Sequence, residues 1–196
     1  MLEHFRGYEA VGFYTIASRF TLNLALFCGL ISGVFSVAVA TARKVSEREY
    51  RKQLHRYYFL LFWLMVPFFP VFWLLSPHIF TFLYGSAFAG ASAVFSVYIC
   101  TLPCTGLLSA FYWHATFENR LKMIAAANGA GAAINVAANW IMIPSMGVTG
   151  AAWSSVVSMP LGLILVLFCT KYGRFLLKLI LKSVLTLPSF RLRKNV

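Results

Sequence analysis

Asn128, Asn135 and Asn139 are spaced by seven and four residues in a segment otherwise made of apolar and small side chains. On a 3.6-residue helix the three fall within about 40° of one another, so one helix carries a polar stripe. Such a stripe can do two things: hydrogen-bond a neighbouring helix, or line a hydrated path. Asn23 fits either use. Arg19 lies about 9 Å beyond Phe13 along a helix, inside the first apolar stretch. A guanidinium there costs several kcal/mol unless it snorkels to the interface or faces a cavity. Facing a cavity, it would attract an anionic substrate such as a phosphate. His114 and Glu118, four residues apart, could shuttle a proton; a surface pair without a catalytic role is the plainer expectation. Cys28, Cys100, Cys104 and Cys169 all lie in apolar segments, with no His or acid close in sequence to complete a metal site, and read as small apolar fillers. Nothing has the spacing of a nucleophile triad, a phosphate-binding glycine loop or a metal cluster. No enzymatic activity, cofactor or metal is expected.

The elements that must position these residues follow from composition. The chain has 196 residues, 60% hydrophobic and 11% charged, with no Asp and only five acids: Glu3, Glu9, Glu47, Glu49 and Glu118. Soluble domains carry about 25% charged residues, so the bilayer is the expected partner. The net charge of +12 does not point to nucleic acid, because the basic residues sit in gaps between apolar runs and form no stripe interleaved with exposed aromatics. The opening MLEHFRGYEAVG lacks the basic start, apolar core and cleavage site of a signal peptide.

No Asp, Glu, Lys or Arg occurs from Phe20 to Ala42, from Tyr57 to Phe117 or from Met123 to Thr170. A helix needs about 20 apolar residues to cross the hydrocarbon core. The three stretches therefore hold one, two and two spans, expected over 13–42, 57–83, 89–113, 121–143 and 148–170. An N-terminal segment, 1–12, precedes them. A basic tail, 171–196, follows, its first part reading as an interfacial helix because Lys178 and Lys182 lie one turn apart among leucines. Gly85 marks the second connection. Pro144, Gly147 and Gly150 make the fourth a tight uncharged turn. Pro67, Pro70, Pro103 and Pro160 are expected to kink the spans that hold them.

The charges set the topology. Of the 17 Lys and Arg, six fall in 43–56, two in 118–122 and seven in 171–196. With five spans these segments alternate from side to side. The positive-inside rule puts them in the cytoplasm and puts the N-terminus outside. An outward start, an odd number of spans and no export signal are expected of the tail of a longer membrane protein.

Three stretches resemble the oligosaccharide (O-antigen-type) flippases, in the superfamily that also holds multidrug-and-toxin extruders. In INVAANWIMIPSMGVTGAAWSSVVS the matching positions are Asn139, Ile143-Pro144, Gly147 and Gly150-Ala151-Ala152. In FTFLYGSAFAGASAVFSVY they are Leu83-Tyr84-Gly85 and Ala91, with Phe88 where the family usually has Tyr. In GYEAVGFYTIASRF they are Gly12, Tyr14, Ala17 and Arg19. The resemblance runs from about residue 7 to 170. It implies an all-α polytopic protein of about five transmembrane helices, an incomplete second lobe of a two-lobe alternating-access transporter in the bacterial inner membrane. It further implies that the whole protein moves an undecaprenyl-pyrophosphate-linked oligosaccharide outward, with Arg19 offering charge to pyrophosphate or acidic sugar and the asparagines contacting sugar hydroxyls or water. A separate first-lobe polypeptide or a polysaccharide polymerase is the implied partner. The rival expectations are a membrane fragment that does not transport, and a drug extruder of the same superfamily.

Overall fold

The computed structural model describes residues 2–85 and 88–186. Ser86 and Ala87, in the second connection, and the basic tail 187–196 lie outside the described residues. The chain folds as α1 (Leu2–Val45), α2 (Glu47–Met65), α3 (Phe68–Tyr84), α4 (Ala89–Tyr98), α5 (Leu102–Phe117), α6 (Leu121–Met146), α7 (Val148–Cys169) and α8 (Lys171–Leu185). No strand occurs among the described residues. Five helical stretches are long and apolar enough to cross a membrane: 2–45, 47–84, 90–117, 121–146 and 148–169. The protein is all-α and polytopic, as the apolar runs predict.

The packing is that of helices dissolved in lipid. The buried residues of α1 are small or polar: Ala10, Ala17, Thr21, Cys28, Ser32, Ser36, Val39 and Ala42. Its large apolar side chains, among them Leu22, Leu26, Phe27, Leu30 and Val34, point outward. Hydrocarbon solvates leucine as well as a protein interior does, so nothing drives these side chains inward. Close backbone approach and interhelical hydrogen bonds hold the helices together instead. Ser32 and Tyr57 hydroxyls lie 2.6 Å apart between α1 and α2, and Ser76 and Ser96 hydroxyls 2.7 Å apart between α3 and α4. Larger residues meet in two clusters. One, around Tyr58, Leu61, Phe111 and Leu176, lies toward the end of the bundle where the basic segments gather. The other, around Phe20, Phe80, Phe95 and Ile99, lies farther along the bundle.

The prolines divide between breaks and straight passages. The second span separates at Val66–Pro67 into α2 and α3, and Pro70 sits in the first turn of α3. Pro103 opens α5 just after a 3-10 turn at Ile99–Thr101. Pro77 and Pro160 are carried inside α3 and α7. Two boundaries move. The N-terminal segment expected before Phe13 is itself helical over residues 2–12, in two pieces joined across a kink at Gly7, and the second piece runs on into the first span. The fourth helix does not stop before Pro144. Pro144 cannot donate to the Trp140 carbonyl one turn back, yet that single lost bond does not end the helix, and α6 continues to Met146. The stop is Gly147, whose φ of 66° and ψ of −135° turn the chain directly into α7. Gly85, with φ 81°, similarly closes α3.

The two ends of the bundle have different chemistry. At one end Arg6 Nη2 donates to the Pro144 carbonyl at 3.0 Å and Phe5 meets Trp140 edge-on, so the N-terminal turn sits against the uncharged α6–α7 turn. At the other end the basic segments converge. Arg43 Nε is 3.5 Å from Glu118, Arg120 stacks 3.8 Å over the Tyr172 ring and Arg51 lies 4.9 Å over Phe175. The alternation of charged and uncharged connections is thus realised as two opposite ends. α8 packs on α2 and α7 through Gly173, Leu176, Ile180 and Ser183, and Ser183 Oγ donates to the His55 carbonyl at 3.2 Å. Lys171, Arg174, Lys178 and Lys182 remain exposed.

Candidate functional site: a polar cleft across α1, α5, α6 and α7

Two adjoining cavities cut into the bundle. The first, about 220 Å³, is lined by Ser18, Arg19, Thr21, Tyr98, Thr101 and Thr105, among others. The second, about 370 Å³, is lined by Tyr14, Tyr112, Asn128, Asn135, Ser155 and Ser158, among others. Tyr98 and Met159 belong to both walls, so the two form one cleft. Every charged or amide group that enters it comes from α1 or α6; α4, α5 and α7 add phenols and hydroxyls.

Arg19 is exposed on α1, and no hydrogen bond or ion pair within 4.0 Å engages it among the described residues. Its guanidinium is therefore available to a ligand. Asn23, one turn further, is exposed but does not line the cleft. The asparagine stripe splits by role. Asn128 faces the cleft, where its Oδ1 accepts the Tyr112 hydroxyl at 2.5 Å. Asn139 is drawn into the α6–α7 seam: its Nδ2 donates to Asn135 Oδ1 at 2.9 Å, and Ser154 Oγ donates to its Oδ1 at 2.6 Å. Asn135 does both, lining the cleft while its Nδ2 donates to Ser158 Oγ at 3.1 Å and lies 3.4 Å from Ser154 and Ser155. Interhelical bonding thus engages Asn135 and Asn139, while Asn128 and Asn135 line the cleft.

The seam is held in register by glycines. A Cβ on Gly162 of α7 would come within 2.6 Å of Gly131 Cα on α6, and a Cβ on Gly150 would strike the Met142 carbonyl. Pro144, Gly147 and Gly150 therefore shape the turn and the seam and contribute no group to the cleft. Among the cleft residues missed at the level of sequence are Tyr98, Tyr112, Thr105, Ser155 and Ser158. Ser154, Ser155 and Ser158 had a signal, since i, i+1 and i+4 in an apolar span face a neighbouring helix. The tyrosines had none, being amphipathic residues that fit a membrane interface equally well.

His114 and Glu118 are not a surface pair. His114 is 2% exposed and sits among three phenols. Tyr50 donates to Glu118 Oε1 at 3.0 Å and lies 2.7 Å from His114 Nε2. A phenol has one proton, so His114 Nε2 carries the hydrogen toward Tyr50, and Tyr58, 3.4 Å from Nδ1, is the donor there. Tyr172 of α8 is 3.1 Å from Nε2, and burial raises its hydroxyl above the ordinary phenol range. The cluster ties α2, α5 and α8 together at the charged end. It does not line the cleft.

All four cysteines are free, Cys28 buried and Cys169 exposed, and among the described residues no three His, Cys, Asp or Glu side chains gather as metal ligands do. Comparison of the chain with protein-family models, with curated proteins and with solved structures finds no match.

Proposed function

We propose that this chain is part of an inner-membrane flippase that carries an undecaprenyl-pyrophosphate-linked oligosaccharide outward during polysaccharide biosynthesis, with its basic end in the cytoplasm. The observation that carries the proposal is Arg19, an intramembrane cation facing a cleft whose other polar groups are neutral hydroxyls and amides. A guanidinium suits phosphate oxygens, and phenols, serines and Asn128 suit sugar hydroxyls. No acidic residue lines either cavity, which favours an anionic cargo over the cationic drugs of an extruder. The resemblance in the three quoted stretches points the same way. Moving such a cargo breaks no bond, so no enzymatic chemistry is required of the chain.

Both cavities of the cleft open to the surface. The face of α6 bearing Ala125, Ala126, Gly129, Ala132, Ala133 and Ala137 is largely uncovered, since α6 packs mainly on α7. Small-residue faces admit another helix closely, which supports a partner polypeptide supplying the opposite lobe. The test is complementation of a flippase-deficient strain, by this chain alone and with a first-lobe polypeptide, each with Arg19→Ala and Arg19→Lys. Losing the guanidinium removes charge-assisted hydrogen bonds, an effect of about tenfold or more on a bound anion. Polymer export is expected to fall by about that factor in Arg19→Ala while protein level is kept. Equal losses of export and protein would mean that Arg19 only snorkels.

A further inference from the structure

A second cavity with cationic character lies away from the cleft, between α1 and α2 at the charged end. It measures about 300 Å³, and its walls are Phe35, Ala38, Val39 and Leu60, with Arg56 and Gln53 at its mouth. Tyr57 completes it, but the Tyr57 hydroxyl is already engaged with Ser32. The position is informative. Arg56 is the last charged residue before the uncharged stretch 57–117. Val39 precedes Arg43 by four residues, about 6 Å along a helix. The mouth is thus at headgroup level and the walls are at hydrocarbon level.

The charges around the mouth favour an anion. Arg48, Lys52 and Arg56 recur every fourth residue on α2 and are all exposed, forming a row that ends at the groove. Glu47 is paired with Arg43 and Arg51, away from the groove, and Glu49 offsets only Lys52, at 3.5 Å, while accepting from the Gln53 amide at 3.0 Å, so the row keeps a net positive charge. Arg56 has no ion pair within 4.0 Å among the described residues. A guanidinium beside an apolar trough matches a phosphodiester carrying an acyl chain.

We infer that this groove is a binding site for an anionic phospholipid of the adjoining leaflet, with Arg56 on the phosphate and one acyl chain along Phe35, Ala38 and Leu60. The row of cations selects a headgroup with net negative charge over a zwitterionic one. The inference does not depend on the flippase reading, because it uses none of the cleft residues.

The experiment uses the purified full chain in detergent, titrated with phosphatidylglycerol or phosphatidylcholine and read by native mass spectrometry. Phosphatidylglycerol is expected to be retained at about tenfold lower lipid concentration than phosphatidylcholine. Arg56→Gln should lower phosphatidylglycerol retention, and Arg48→Gln with Lys52→Gln should narrow the preference over phosphatidylcholine. Ala38→Trp fills the groove from an exposed position and leaves every charge in place; it should lower phosphatidylglycerol retention as well. Equal retention of both lipids by the unaltered chain overturns the inference. So does an Ala38→Trp variant that binds like the unaltered chain, which would show diffuse attraction to the basic end rather than a groove. Displacement of the lipid by millimolar inorganic phosphate would likewise show that the acyl chain contributes nothing.

Discussion

Single side chains in this protein separate into those that hold helices together and those that face the cleft, and substitution should tell them apart. Asn139 spends both its amide atoms within the α6–α7 seam, whereas Asn128 offers its amide to the cleft beside Tyr112. Asn139→Ala should destabilise the fold by about 1 kcal/mol, the scale of an interhelical hydrogen bond in lipid. Asn128→Ala removes one exposed bond, from Tyr112, and should lower the unfolding temperature in detergent less than Asn139→Ala while reducing export in the complementation assay. His114 is a further test of residue-scale packing. Its removal strands the fully buried phenol of Tyr58, at about 1–3 kcal/mol, and takes one contact each from Tyr50, which keeps Glu118, and Tyr172. His114→Ala should therefore lower the unfolding temperature clearly, and His114→Gln, which can still donate and accept, should lower it less. The asparagine stripe was legible from periodicity alone. Its division of labour was not, because Asn128, Asn135 and Asn139 differ only in what α5 and α7 bring opposite them.

Helices and their connections carry the next set of constraints. The α6–α7 turn needs a residue at φ 66°, ψ −135°, and Gly147 supplies it. Gly147→Ala should cost at least about 1 kcal/mol, since a Cβ disfavours positive φ. Pro144→Ala should be nearly neutral, because the proline is carried within the helix and is not what ends it. Comparing the two variants by thermal unfolding in detergent checks which residue makes the turn. Sequence signals put the turn in the right place and assigned its stop to the wrong residue. A proline announces one lost backbone bond, but only the backbone dihedrals reveal whether the helix ends there or carries the loss for another turn. The same reasoning explains the first helix. Charges at Glu3, Arg6 and Glu9 mark the end of the hydrocarbon-depth stretch, yet the helix continues outward as far as Gly7, where a positive φ kinks it before a further short helical piece.

For the whole molecule, the testable statement is sidedness. The N-terminal turn and the α6–α7 turn share one end, and 43–56, 118–122 and the start of α8 share the other. In a variant without native cysteines, a cysteine at Ser145 should react with an impermeant reagent from outside intact cells, and one at Ser46 should react only after permeabilisation. The reverse pattern would invert the proposed direction of transport. Reaction of both from one side would contradict the alternation of charged and uncharged connections.

Composition and charge spacing alone were enough to establish five membrane-crossing stretches, an all-α architecture and the segregation of basic connections from uncharged ones. These are properties of each segment against its solvent: an uncharged apolar stretch in a bilayer must close its own backbone hydrogen bonds, and only a helix does so within one segment. Tertiary structure alone decided which polar groups meet. Arg19 and Asn128 are 109 positions apart in the chain, and they border one cleft because Tyr98 and Met159 stand between them. His114 is buried because α2 and α8 close over it. Helix packing in lipid depends on small shape and hydrogen-bond terms between distant segments rather than on burial of large apolar side chains, and a hydropathy pattern carries no record of those terms.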